Sequence, residues 1–87
     1  MDKPLVSIIM PAYNAEKYIE DAIKSIIIQS YTNWELLIAD DSSSDNTRSI
    51  IESYNDSRIK SYHYNQNIGY LKTCNILFKY CKGEYSI

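Results

Sequence analysis

The sequence predicts an α/β fold, βαβαβαβ, with a mostly parallel sheet in three layers and helices on both of its faces. Three observations carry that expectation. Apolar runs without clean alternation, Leu5–Met10 and Leu36–Ala39, read as strands buried on both sides. Each is followed by a stretch with apolar residues at three- and four-residue spacing, the signature of an amphipathic helix. The connections are short and polar, so successive strands cross over in the right-handed sense and pair in parallel.

Leu5–Met10 is the first strand. Val6, Ile8 and Ile9 are β-branched, Pro4 suits its start, and Pro11, which lacks a ladder donor, ends it. Ala12, Tyr13 and Asn14 form a loop, with Asn14 placed to cap the helix that follows. That helix covers Glu16–Gln29. Ile19, Ala22, Ile23, Ile26 and Ile27 make its apolar stripe, Ile28 broadens the buried arc, and Glu20 and Asp21 favour its positive end. Ser30–Asn33 turns the chain back into the central strand, which runs from Trp34 and stops abruptly at Asp40 and Asp41. Ser42–Asn46 is polar, and Ser44 or Asp45 can cap a short helix over Thr47–Tyr54 whose apolar side is Ile50, Ile51 and Tyr54. Asn55-Asp56-Ser57 is a turn signal. Arg58–Tyr64 alternates, which predicts a third strand with one less protected face near the sheet edge. A second polar loop, Asn65–Gly69, leads into a helix over Tyr70–Lys82, with Leu71, Cys74, Leu77, Phe78 and Cys81 on its apolar face and Gly83 as its C-cap. Glu84–Ile87 opens a fourth strand. Ending there predicts that these residues are the front of a longer protein.

Composition narrows the function. With 87 residues this is one domain or less, and its core is modest. The net charge of −2 and the scattered Lys and Arg exclude a phosphate-tracking nucleic-acid surface. Nine tyrosines either reflect biased composition or mark a half-buried binding face. Cys74 and Cys81, seven residues apart on one helix, lie about 10 Å apart, too far for a disulfide. Free thiols fit a reducing compartment, and no leader or membrane span is legible in these residues, which points to the cytoplasm or the cytoplasmic face of a membrane.

In open α/β sheets ligands bind beyond the carboxyl ends of the strands. Three loops gather there: 11–14, 40–46 and 65–69. Tyr13, at a loop tip, either stacks on a planar ring or packs against the next helix. Asp41 can accept a ring N–H, or join a metal or sugar hydroxyls, while Asp40 can instead cap loop amides. No GxGxxG, P-loop GxxxxGK[ST] or GxSxG motif appears, so a dinucleotide cradle and a nucleophile elbow are excluded. The lone His63 reads as a satisfied strand residue, and no zinc set surrounds it.

The stretch VSIIMPAYNAEKYIEDAIKSIIIQSYTNWELLIADDSSSDNTRSII, together with SRIKSYHYNQNIGY and the closing KGEYSI, resembles the start of an inverting family-2 glycosyltransferase of the GT-A fold. The likeness covers essentially the whole chain. It implies a Rossmann-like sheet, with residues 1–87 as the nucleotide-sugar-binding part of an incomplete GT-A half. By that resemblance Pro11, Ala12 and Tyr13 line the base pocket, and Glu16 lies nearby on the opening of the first helix. Asp41 reads the base through its ring N–H with Asp40 beside it, and Asn67–Asn75 passes the diphosphate. Where many members carry Ala-Arg-Asn, this chain has Thr73, Cys74 and Asn75. A cysteine cannot replace a fixed cation, and Lys72 partly takes that place.

The resemblance further implies that the whole protein transfers a sugar, with inversion, from a nucleotide-diphosphate sugar (a UDP-sugar by expectation) to a hydroxyl of a carbohydrate or lipid-linked acceptor. Mg²⁺ or Mn²⁺ would be held by an Asp-x-Asp motif beyond Ile87. The catalytic base and the acceptor pocket would also lie outside these residues, leaving the segment inactive alone and with no catalytic residue of its own. The alternative reading is a non-catalytic nucleotide-binding or self-associating module, because a truncated sheet exposes an edge that invites pairing between copies.

Overall fold

A computed structural model describes residues 4–86, so the readings of Met1–Lys3 and Ile87 lie outside the described residues. Four parallel strands form one sheet in the order β3-β2-β1-β4. They are β1 (Val6–Ala12), β2 (Trp34–Asp40), β3 (Ile59–His63) and β4 (Glu84–Ser86). The helices are α1 (Ile19–Ile28), α2 (Thr47–Glu52) and α3 (Tyr70–Tyr80).

β2 is the centre of the fold. All seven of its residues are buried, as expected of a strand flanked by partners and covered on both faces. It pairs with β1 from Val6↔Trp34 to Ala12↔Asp40 and with β3 from Leu36↔Ile59 to Asp40↔His63. Alternation sends its side chains to two cores. Trp34, Leu36 and Ile38 join Ile19 and Ile23 of α1 and Ile51 of α2, while Leu37 and Ala39 join Ile9 and Leu77 of α3. The three layers follow directly from that alternation. Arg58, chelated by Asp56, lays its guanidinium 3.9 Å above the Trp34 ring and closes the amino end of the first core.

Several boundaries differ from the sequence reading, each for a local reason. β1 does not stop at Met10 but continues through Pro11 to Ala12. The Val6 N–H donates to the Asn33 carbonyl and the Ala12 carbonyl accepts from the Asp41 N–H, so alternate residues of β1 bond toward β2. By the same alternation Pro11 faces the other side, where the ladder to β4 reaches only Ile8↔Ser86 among the described residues, and its missing donor breaks no bond there. Asn14 does not cap α1. It sits at φ 48°, its side chain is taken by the next loop, and the helix starts later, after Tyr18. Ile28 is 81% exposed and Leu71 74%, so neither belongs to the apolar face expected of it. Both stand at the end of a helix, where the stripe has turned away from the sheet. α3 ends at Tyr80 with Cys81 extended, and Gly83 lies beyond the cap. Cys74 and Cys81 are free thiols.

Candidate functional site

The carboxyl edge of β1 and β2 is built from loops that bind one another. Residues 14–16 and 43–47 are stitched together by reciprocal hydrogen bonds. The Asn14 N–H donates to Ser43 Oγ at 2.9 Å, the Ala15 N–H to Thr47 Oγ1 at 2.8 Å and the Glu16 N–H to Asp45 Oδ2 at 3.2 Å. In return, Asn14 Oδ1 accepts the Ser44 N–H at 2.9 Å, and Glu16 Oε2 accepts the Asn46 N–H at 3.3 Å. Asp45 also accepts the Thr47 N–H and hydroxyl. Burial pushes the Asp45 carboxyl up, but the bonds from Thr47 and from the Glu16 N–H outweigh it and leave the group below its ordinary value. The serine-rich stretch after β2 is therefore a lacing that fixes the first loop.

A hollow of about 280 Å³ opens beside this lacing. One wall is Pro11, Ala12 and Tyr13 at the end of β1, and the floor includes Asp41. Another wall comes from Gly69, Tyr70 and Thr73 at the start of α3, with Asn67 beside them in the lining. Tyr13 is 53% and Tyr70 60% exposed, so each offers an aromatic ring to whatever enters. A hydrogen bond with the Cys74 thiol raises the Tyr70 phenol above its ordinary range.

The two aspartates differ in what they do. Asp40 is buried beneath the edge. Its Oδ1 accepts the Ser43 N–H at 3.1 Å and its Oδ2 lies 3.7 Å from His63 Nδ1. Asp41 is 4% exposed and reaches across to the third loop. Its Oδ1 accepts the Ile68 N–H at 2.8 Å, its Oδ2 accepts the Gly69 N–H at 2.9 Å, and its carbonyl accepts from Asn67 Nδ2 at 3.2 Å. Each carboxylate oxygen keeps a second lone pair for a donor in the hollow.

The structure thus brings Pro11, Ala12, Tyr13 and Asp41 to one hollow. Asp40 braces the loop below it, Glu16 is exposed and tied to Asn46, and Lys72 is exposed outside the lining. Tyr70 and Thr73 fall in Asn67–Asn75, the stretch expected to pass the diphosphate, but neither was expected in the base pocket. Helical geometry carries the signal: positions 70 and 73 share a face one turn apart, whereas 72 stands about 200° round from 70 and cannot join them.

Gly69 makes the turn into α3 at φ 91°, ψ 159°, a region that essentially only glycine occupies. A Cβ there would meet nothing within 4 Å, so any penalty is conformational alone. Gly69→Ala is expected to lose about 1–3 kcal/mol in chemical denaturation. A loss below about 0.5 kcal/mol would show that the backbone relaxes freely.

Among the described residues no group of three His, Cys, Asp or Glu side chains converges on a cation position. Mg²⁺ and Mn²⁺ take several oxygen ligands at once, and Asp40, Asp41 and Asp45 belong to no such convergent group, so the residues present do not fit a Mg²⁺ or Mn²⁺ site. No described helix is long and apolar enough to cross a membrane.

A parallel sheet with helices on both faces and a hollow at its carboxyl edge is the architecture of GT-A glycosyltransferases, and solved structures of that class superpose on it. The mannosyltransferase PcManGT from Pyrobaculum calidifontis, solved with GDP-Man and Mn²⁺, matches 95% of this chain and 26% of its own, at TM-score 0.84 and 25% identity. S. aureus TarS 1-349 in complex with UDP matches 93% of this chain and 26% of its own, at TM-score 0.83 and 33% identity. Residues 7–87 match the glycosyl transferase family 2 profile, and the chain belongs to that family. Among curated relatives it is 48% identical, over 98% of its length, to the Escherichia coli UDP-Glc:alpha-D-GlcNAc-diphosphoundecaprenol beta-1,3-glucosyltransferase WfgD. It is 42% identical over 95% of its length to the putative teichuronic acid biosynthesis glycosyltransferase TuaG of Bacillus subtilis strain 168. The chain spans 34% of the length of each of these two relatives.

Proposed function

We infer that the hollow between Tyr13 and Asp41 holds the base of a nucleotide-diphosphate sugar, and that the whole protein transfers that sugar, with inversion, to a hydroxyl of a carbohydrate or lipid-linked acceptor. The observation that carries this reading is the convergence of an exposed aromatic ring and a carboxylate with free lone pairs on one hollow. A flat base stacks on Tyr13 while Asp41 accepts a ring N–H. Neutral uracil and guanine carry such a proton and neutral cytosine and adenine do not. The donor named for WfgD is UDP-Glc and TarS was solved with UDP, so uracil is the base of choice, with guanine, the base in the PcManGT complex with GDP-Man, as its competitor. A nucleotide-sugar donor sets the place of work at the cytoplasm or the cytoplasmic face of a membrane.

Calorimetric titration with UDP, GDP and CDP tests the reading. UDP is expected to saturate one site. CDP, which lacks the ring N–H, is expected to bind about 10- to 150-fold weaker, the worth of one bond to a charged acceptor. Tyr13→Ala is expected to weaken UDP by about 5- to 150-fold, the range of one base–aromatic stack. No UDP binding, or an unchanged affinity in the Tyr13→Ala variant, would remove the reading.

A further inference from the structure

α3 carries one wall of the hollow, and its two ends are tied by buried carboxylates, one within β2 and one on the residue that follows it. At the amino end Asp41 accepts the Ile68 and Gly69 N–H groups. At the carboxyl end Glu35, 6% exposed, uses Oε2 alone to accept the Lys82 N–H at 2.8 Å and the Ser7 hydroxyl at 2.6 Å. Ser7 Oγ in turn accepts the Gly83 N–H at 2.9 Å. Neither carboxylate has an ion-pair partner among the described residues.

The lengths agree. Six residues of extended chain separate Glu35 from Asp41, about 20 Å. Thirteen residues of mostly helical chain separate Gly69 from Lys82, also about 20 Å. One strand, with the residue that follows it, therefore grips one helix at both ends.

The two grips are not equivalent. A carboxylate at the amino end of a helix is favoured by its dipole, and one near the carboxyl end is opposed. Glu35 stands against that field, so its contribution lies in where it holds the turn rather than in net charge attraction. Between the grips Leu77, fully buried, packs on Ile9, Leu37 and Ala39 and acts as a fulcrum. The arm from Leu77 to Lys82 is about 7 Å and the arm to Tyr70 about 10 Å. In a close-packed layer, movement at the short arm appears at the long one.

We propose that Glu35, with Ser7, is a distant positioning residue of the nucleotide hollow: it fixes the carboxyl end of α3 and so sets Thr73 and Tyr70, about 14 and 18 Å away along the helix. This rests on the nucleotide reading above for its functional meaning, but not for its test.

The test compares Glu35→Ala, Glu35→Gln and Ser7→Ala by amide-resolved NMR without nucleotide and by UDP titration. Glu35→Ala and Ser7→Ala are expected to shift the Gly69 and Tyr70 amides and to weaken UDP by on the order of 3- to 10-fold, the size of coupling through a packed element. Glu35→Gln is expected to stay within about twofold of wild type, since one amide oxygen can accept both bonds now made to Oε2. A purely structural role would lower the melting temperature yet confine the shifts to residues around 7, 82 and 83. That outcome, with unchanged UDP affinity, overturns the proposal. If Glu35→Ala does not fold, Ser7→Ala decides, because it keeps the Glu35 carboxylate and removes the Gly83 acceptor, the hydroxyl donor to Glu35 and the contact with the Cys81 thiol. If wild type does not bind UDP, the nucleotide reading falls alone, and the Gly69 and Tyr70 amide shifts still decide whether Glu35 sets the wall.

Discussion

Asp41→Ala is expected to weaken UDP binding by about 100-fold and to lower the melting temperature by roughly 10–20 °C. Both effects come from one carboxylate. In binding, the variant loses the acceptor for the ring N–H, a bond to a charged group worth about 1.5–3 kcal/mol. In folding, it strands the Ile68 and Gly69 amides, which now end on Asp41 at 2.8 and 2.9 Å. Each amide left without an acceptor costs about 1–3 kcal/mol unless water reaches it, and the loop is half-open, so a total of roughly 2–4 kcal/mol follows. Asp41→Asn separates the two roles poorly, because both oxygens are in use and one becomes an NH₂ group facing an N–H donor. Thermal melting with and without saturating UDP measures both quantities on one sample. A variant that melts like wild type and binds UDP normally would place Asp41 outside both the wall and the base site.

The strands and their order of appearance were legible because β2 is hydrophobic throughout and its neighbours follow it with helical spacing. The edge position of β3 was legible from the alternation in Arg58–Tyr64, and the structure places that strand at one end of the sheet. Asp40 and Asp41 stood out because carboxylates rarely follow a buried run without a task. Their division of labour was not legible. Whether a side chain at the edge turns down to its own loop, as Asp40 does, or across to the next one, as Asp41 does, depends on loop approach, and local sequence does not encode that. Asn14 shows the same limit: its residue type suits a helix cap and an inter-loop bond equally, and the partner, Ser44, is thirty residues away. Glu35 was invisible for another reason. A single charge within an apolar run looks like a solvent-facing break, and only the folded turn at Lys82 and Gly83 reveals the amides that receive it.

Gly83→Ala is expected to be far more damaging than Gly69→Ala, for a reason unrelated to helix capping. A Cβ at position 83 would fall 2.2 Å from the Leu5 carbonyl oxygen and 2.7 Å from its carbon. Both are backbone atoms at the start of the β1–β4 ladder, next to the Val6↔Glu84 pair, so neither can swing aside as a side-chain tip would. Relief requires β4 to lift from β1 or the turn to move, and the second route pulls the Gly83 N–H off Ser7 Oγ. Forced overpacking of this kind costs about 3 kcal/mol, and the broken bond adds about 1 kcal/mol. Against a total of roughly 4–13 kcal/mol for a chain of this size, that is a large share, and a fall of roughly 15 °C or more in melting temperature is the expected reading. Gly69→Ala is the matched control: it has open space and strain in φ alone, so the ratio of the two losses separates close approach from dihedral cost. If Gly83→Ala melted within a few degrees of wild type, β4 would not be held against Leu5, and the Ser7–Glu35 grip on the end of α3 would lose its anchor as well.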